Sequence, residues 1–326
     1  MRTRTLGETG LNLTELSFGA GAIGNLYRPV DRDSAMAAMQ AAWDARIRYF
    51  DTAPFYGHGL SERRVGDFLR DKDGWVLSSK VGKLLRPVVE ADIPDHGFVD
   101  PLPFTVDFDY TYNGIMKSYE MSLARLGLNR IDILYVHDLE PRGFDEATYK
   151  KHLTDFFGGG HLALTELKSS GAIKAFGLGV NEVQACLNIL VQADLDVILL
   201  AGRFSLLDRR GAKVLLPLCE QRGVSIVAGG VFNSGILATG PIDGAYFDYA
   251  PAPRDICEKV AHIQKHLEAK GHQLPQAALQ FPLTSPVIKS VLIGSAKAGS
   301  VKANAELMNT SIDPDDFEAV NPYTIG

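Results

Sequence analysis

Cysteine is scarce in this chain. Only three of its 326 residues are Cys, at positions 186, 219 and 257, and they form no CxxC pair. An odd number at wide spacing excludes a disulfide framework. Each thiol reads as a small buried apolar side chain in a reducing cytoplasm. Long apolar runs are also missing. The longest, Val197 to Ala201, is strand-sized and far short of the roughly 20 residues that span a bilayer. The start, Met1-Arg2-Thr3-Arg4-Thr5, is basic but lacks the apolar stretch of a secretory signal. A basic excess is absent too: 33 Lys+Arg against 39 Asp+Glu gives −6, which argues against a phosphate-backbone partner. His58, His96, His152, His161, His262, His266 and His272 form no HExxH or similar pattern, so no metal is expected. These absences leave a cytoplasmic protein with no membrane and no nucleic-acid partner.

What is present is ordinary globular material. The chain is 46% hydrophobic and 22% charged, too apolar for disorder to be its main state. Its length allows two domains at roughly 150 residues each, but α/β barrels of about 250 residues routinely form one. Short β-branched runs alternate with longer helical patterns. Strands are expected over residues 15–19, 49–52, 75–80, 131–137, 175–179, 197–201, 224–228 and 290–294. Met36, Met39, Gln40 and Trp43 mark one helix face behind an Asp31 or Asp33 cap, and Ile115, Tyr119, Leu123 and Leu126 mark another ending at Gly127. Eight βα units with strands buried on both faces imply a parallel sheet, as a closed (β/α)8 TIM barrel or an open doubly wound sheet. The segment from Arg4 to Leu13 reads as an N-terminal β-hairpin. Long insertions at 84–112, 138–160 and 231–253 all follow strands, so in a barrel they open on the C-terminal face, where barrel active sites lie. That coincidence favours one barrel domain over residues 1–326.

Phe18-Gly19-Ala20-Gly21-Ala22-Ile23-Gly24 contains a literal GxGxxG after a strand. A dinucleotide turn needs a helix to open at once, so that its N–H groups meet the pyrophosphate. Here Asn25 to Pro29 intervene, and a glycine-rich barrel loop is the better reading. A second pattern is more informative. Asp51 closes one strand, Tyr56 follows five residues later, Lys80 ends the next strand and His137 the one after. Taken singly, a strand-end Lys or Asp is a surface ion pair, and Tyr56 a half-buried aromatic. Together, around one barrel mouth, they suit proton transfer. A phenol with pKa near 10 needs a nearby ammonium to make it useful at neutral pH, a carboxylate would hold that ammonium, and a neutral imidazole would orient a substrate oxygen.

These residues resemble the aldo-keto reductase family. The likeness runs through Leu6-Gly7-x-Thr9-Gly10-Leu11, Phe50-Asp51-Thr52-Ala53-x-x-Tyr56-Gly57, Ser61-Glu62, Ser79-Lys80-Val81-Gly82, Ser122-Leu123-x-Arg125-Leu126-Gly127, Asp132-Ile133-x-x-x-His137 and Gly177-Leu178-Gly179-Val180-Asn181. The resemblance implies a (β/α)8 barrel that binds an extended nicotinamide cofactor without a Rossmann domain. It implies Tyr56 as acid/base, Lys80 lowering its pKa, Asp51 pairing with Lys80, and His137 orienting the substrate oxygen. Asn181 would hold the nicotinamide carboxamide, and Gly19 and Gly21 would approach the cofactor. The loop with Gly229, Gly230, Phe232, Gly235 and Leu237 would wrap the pyrophosphate. Gly294, Ser295 and Asn304 would meet the adenosine end.

Departures from the family pattern carry further expectations. NADP-preferring members place a Lys before the serine matched by Ser295 and an Arg four residues before the asparagine matched by Asn304. Gly294 and Ser300 stand there, with only Lys297 nearby, which implies NAD over NADP. Ala201 and Gly229 replace a carboxamide-contacting Gln and a ring-stacking Tyr, leaving Phe204 or Phe232 as substitutes. The stretches from Ser79 to Pro87, Leu199 to Leu207 and Phe108 to Gly114 resemble the sugar- and pyridoxal-oxidising dehydrogenases of the family. That implies oxidation of the C1 hemiacetal of an aldose of the L-fucose or D-threo type to a lactone. Pyridoxal oxidation, broad aldehyde reduction and a non-catalytic cofactor-binding subunit are the alternatives. The segment from Val99 to Tyr110, where aromatics alternate with carboxylates, is expected to face a hydroxyl-rich ring, or else to fold onto the barrel as a surface loop.

Overall fold

The eight expected strands all form, and nearly every residue in them is buried. They are β1 (Leu16–Gly19), β2 (Tyr49–Asp51), β3 (Val76–Val81), β4 (Ile133–His137), β5 (Ala175–Val180), β6 (Val197–Ala201), β7 (Ser225–Gly229) and β8 (Ile288–Gly294). Burial on both faces is the signature of parallel strands covered by helices. Each pairs in parallel with the next, and β8 returns to β1, so the sheet closes into a (β/α)8 barrel and the open doubly wound alternative is excluded. The structure is a computed structural model that describes residues 1–326. No helix is long and apolar enough to cross a membrane.

Helix boundaries follow local chemistry. Asp31 caps Arg32–Asp44 by accepting from the Ser34 N–H at 2.7 Å. Tyr112–Leu126 ends at Gly127, whose φ of 62° is the left-handed cap geometry. The expected hairpin is Thr3–Thr5 against Asn12–Thr14. Its Leu6 and Leu13 plug the barrel bottom, packing beneath Tyr49, Ile133, Tyr135, Ala175, Val197, Leu199 and Val227. A larger apolar layer fills the space between strands and helices.

The three insertions sit on the C-terminal side of the barrel. The first begins as a hairpin, Lys83–Pro87 against Phe104–Phe108. The second carries helix Glu146–Asp155, and the third the short pairing Tyr246–Phe247 with Ala250–Pro251.

Candidate active site

Strand alternation places three of the four residues. Asp51, Lys80 and His137 each lie two positions beyond a residue that points into the barrel, namely Tyr49, Ser78 and Tyr135, so they point inward at its upper rim. Tyr56 arrives by a tight turn, its N–H bonded to the Ala53 carbonyl. The glycine-rich loop packs directly on this turn. A Cβ on Gly24 would fall 2.8 Å from the Tyr56 carbonyl carbon, and one on Gly21 would touch the Tyr56 ring. The next long helix opens only at Arg32. The GxGxxG therefore serves close backbone packing, and no helix end stands ready for a pyrophosphate.

The four converge. Lys80 Nζ donates to Asp51 Oδ2 at 2.6 Å and to the Thr52 carbonyl at 2.9 Å, and lies 4.7 Å from the centre of the Tyr56 ring. The His137 ring stands perpendicular to Tyr56 with centres 6.0 Å apart. Beneath them runs a polar chain absent from the sequence reading. Ser78 Oγ donates to Asp51 Oδ1 at 2.7 Å, so Tyr49 must donate to Ser78 at 3.0 Å and Tyr135 to Tyr49 at 2.9 Å. Every proton in this buried chain points toward Asp51, which holds the carboxylate in place for Lys80.

Charges at the site are tuned mainly by burial. Loss of water pushes the Tyr56 phenol up, and the Lys80 charge opposes that without overcoming it. The lowering attributed to Lys80 is thus present, but the net direction is upward because the phenol is so well shielded. Burial pulls the Lys80 ammonium down, and Asp51 with Tyr56 more than reverses this, leaving it raised. Burial holds His137 well below its ordinary 6.5, against the pull of Asp138, so the ring is neutral at pH 7. Its Nδ1 is sealed off without a partner, while Nε2 lies 3.6 Å from Asp138 Oδ2. A lone pair on Nε2 would face that carboxylate, which assigns the proton to Nε2 and makes His137 a donor toward the cavity.

A cavity of about 310 Å3 opens on Tyr56, Lys80 and His137, walled by Gly21, Tyr27, Phe55, His96, Phe98, Asp138, Asn181, Ala201 and Tyr249. A larger groove of about 1280 Å3 adjoins it through Leu26 and Tyr249, which line both. Gly230, Phe232, Gly235, Gly294, Ser295 and Asn304 line the groove as expected. Five expected contacts do not. Phe204 is buried against Phe281, with ring centres 5.3 Å apart, so its ring cannot stack on a ligand. Leu237 is fully buried in the core. Gly19 and Gly229 are strand ends packed against Ile293 and Leu199. Lys297 is exposed at the N-cap of helix Ala298–Glu306. The segment from Val99 to Tyr110 follows the second of its two readings, the surface loop, and does not line the cavity. Asp107 pairs with Arg86, Tyr110 is buried and donates to the His137 carbonyl at 2.7 Å, and only Phe98, just before it, reaches the cavity. Of its aromatics Tyr110 folds onto the barrel, while Phe108 stays exposed.

Two further residues were missed. Glu140, buried, accepts from the Asn181 N–H at 2.6 Å and from Asn181 Nδ2 at 2.9 Å. This clamp turns Asn181 Oδ1 outward, where it accepts from the Tyr249 hydroxyl at 3.2 Å. A carboxamide amine could take the same acceptor, so the residues present fit a nicotinamide head beside the four. No signal in the sequence singled out Tyr249 within its long loop. Nowhere do three His, Cys, Asp or Glu side chains cluster as a metal site would require.

A closed barrel with a Tyr–Lys–Asp–His set at its mouth and a long adjoining groove defines a (β/α)8-barrel oxidoreductase. The profile of the Aldo/keto reductase family matches residues 15–323, and the chain belongs to that family. It is 43% identical over 325 residues to pyridoxal 4-dehydrogenase of Microbacterium luteolum, covering 96% of this chain and 94% of that one. It is 40% identical over 304 residues to D-threo-aldose 1-dehydrogenase of a Pseudomonas species, covering 91% and 90%. Among solved structures it resembles the holo form of an aldo-keto reductase from Bacillus halodurans, with a TM-score of 0.78, 25% identity and coverage of 99% and 96%. The protein is an enzyme of NAD(P)-linked oxidation and reduction.

Proposed function

We propose that the whole of residues 1–326 acts as one barrel domain that oxidises the C1 hemiacetal of an aldose of the L-fucose or D-threo type to a lactone, with NAD. The observation that carries this reading is the convergence of Tyr56, Lys80, Asp51 and His137 on one cavity. Bound in the groove, a nicotinamide dinucleotide supplies the hydride acceptor. Asn181, oriented by Glu140, would hold its carboxamide, and Gly230 to Gly235 with Ser295 and Asn304 would hold the remainder. The His137 Nε2–H donates to the substrate oxygen and fixes the hemiacetal hydroxyl beside Tyr56. As the C–H bond breaks, Tyr56 takes the hydroxyl proton, and the Lys80 ammonium stabilises the phenolate form that can accept it. Asp51, braced by Ser78, keeps Lys80 from turning away. The wall of Phe55, Phe98 and Tyr27 excludes water from the reacting carbon.

Preference for NAD over NADP has its own support. No Lys or Arg lines the groove, and its ionisable side chains are Asp248, Tyr249, His272 and Glu306. His272 is already engaged with Asp316 at 2.9 Å. A 2′-phosphate would meet no free cation there, whereas ribose hydroxyls find acceptors. The three free thiols, two of them buried, fit a reducing cytoplasm. The 43% identity to a pyridoxal dehydrogenase favours pyridoxal as the second substrate to test. The experiment is NADH formation with L-fucose, D-arabinose, L-galactose and pyridoxal. Turnover of at least one sugar above pyridoxal supports the reading. Activity on pyridoxal alone overturns the aldose assignment, and a clear NADP preference overturns the cofactor assignment.

A further inference from the structure

Asp138, next to His137, departs from strand geometry. On a regular strand it would point to the opposite face from His137, into the layer beneath the helices. Its φ is instead 51°, a left-handed conformation that Asp tolerates better than most residues but that still carries strain. Its N–H continues the ladder to the Gly179 carbonyl at 2.9 Å, so pairing is kept while the side chain is turned back. The carboxylate consequently stands in the wall of the same cavity as Tyr56 and His137. One oxygen, Oδ2, is held by Lys83 Nζ at 2.5 Å and lies 3.6 Å from His137 Nε2. Lys83 is itself buried, with its ammonium 4.0 Å above the centre of the Phe55 ring. The other oxygen, Oδ1, makes no hydrogen bond within the protein and is not among the sealed-off polar atoms. It is an ionised acceptor, fixed in position by a buried cation and open to the cavity.

Resting on the oxidation of a hemiacetal put forward above, we propose that Asp138 is a specificity-determining residue. Its carboxylate accepts a hydrogen bond from a hydroxyl on the carbon next to the reacting one. The substrate class is a cyclic hemiacetal bearing that neighbouring hydroxyl. Oxygens on adjacent ring carbons lie about as far apart as two hydrogen-bonded oxygens. A substrate whose reacting oxygen meets His137 Nε2 therefore brings its neighbour toward the carboxylate beside that nitrogen. Lys83 is a positioning residue: it holds Oδ2 so that Oδ1 is presented. A substrate without that hydroxyl forfeits a charge-assisted bond to the carboxylate, so substrates lacking it are disfavoured.

The test compares L-fucose with 2-deoxy-L-fucose in the wild-type enzyme, in Asp138→Asn and in the charge-balanced pair Lys83→Met with Asp138→Gly. Asn and Gly both accept the left-handed backbone, and the pair removes the cation along with its partner. The wild type is expected to favour L-fucose by about 10- to 100-fold in kcat/KM, the range of a charged hydrogen bond. Asp138→Asn should cut that ratio to a few-fold, chiefly through KM for L-fucose, and the paired variant should bring it near one. A wild type indifferent to the 2-hydroxyl overturns the proposal. So does a variant that loses both substrates equally and keeps the ratio, which would mark Asp138 as structural only. If the wild type oxidises no hemiacetal at all, the functional reading falls and this proposal with it. Oxidation with an unchanged ratio removes this proposal alone.

Discussion

Replacing Lys80 with methionine separates what the buried ion pair does for stability from what it does for catalysis. Lys80 and Asp51 are 2% and 1% exposed and 2.6 Å apart. Removing one member of such a pair leaves a buried charge without its counter-ion, at about 3 to 5 kcal/mol. Asp51 keeps the Ser78 hydroxyl at 2.7 Å, so the lower end, about 3 kcal/mol, applies. With an unfolding entropy of about 2.1 cal/mol/K per residue over 326 residues, that corresponds to a fall in Tm of about 4 °C. Adding Asp51→Asn removes the stranded charge and should recover most of this loss. Activity should not recover. Without the ammonium, burial acts on the Tyr56 phenol unopposed. The alkaline rise of the oxidation rate then moves to higher pH, and kcat/KM near neutrality falls by about 10²- to 10⁴-fold. Scanning calorimetry and kcat/KM against pH, run on single and double variants, read both effects. A double variant no more stable than the single one, or a Lys80→Met enzyme with an unshifted pH profile, would refute the reasoning.

Other consequences are equally direct. Glu62 is fully buried and accepts from Arg125 Nε at 2.5 Å and Ser79 Oγ at 2.7 Å, tying two helices to β3. Glu62→Ala should cost about 3 to 5 kcal/mol in urea unfolding, and a loss under 1 kcal/mol would contradict this account of the contact. Burial depresses His58 and His137 in the folded state, from an ordinary value of 6.5. The unfolded chain therefore binds more protons just below pH 6.5, and their contribution, fully present above that value, is lost as pH falls toward the folded values. The urea midpoint should drop between pH 7.5 and pH 5.5, and a rise over that interval would reverse the sign. Gly294→Lys with Ser300→Arg places cations where the groove has none, and should raise kcat/KM for NADP relative to NAD by at least about 10-fold. An unchanged ratio would move the 2′-position of the cofactor elsewhere.

The strands and the four mouth residues were legible because each has a one-dimensional signature. Strands covered on both faces read as short, mostly apolar runs, and Asp51, Lys80 and His137 are charged or polar residues at or near the ends of such runs. The chain of Tyr135, Tyr49 and Ser78 was not legible. A strand tyrosine looks like apolar filler until barrel closure decides that two of them share the interior with Ser78. Lys83–Pro87 and Phe104–Phe108 are separated by residues 88–103, far longer than the short turns that give a hairpin away. Phe204 went wrong for a related reason. Whether an aromatic after a strand lines a groove or fills the core depends on how its loop folds, and Phe281 claims it. Asp138 hid in plain alternation, since only its left-handed backbone turns it toward the cavity.

The central claim is that Tyr56 moves the substrate proton in a hemiacetal oxidation. Tyr56→Phe keeps the ring packed against Gly21 and removes only the hydroxyl, so NADH formation from L-fucose by this variant tests the claim most directly. Loss of turnover by about 10²-fold or more, with NADH still binding as judged by its fluorescence, is the predicted result. Turnover close to that of the wild type would contradict it.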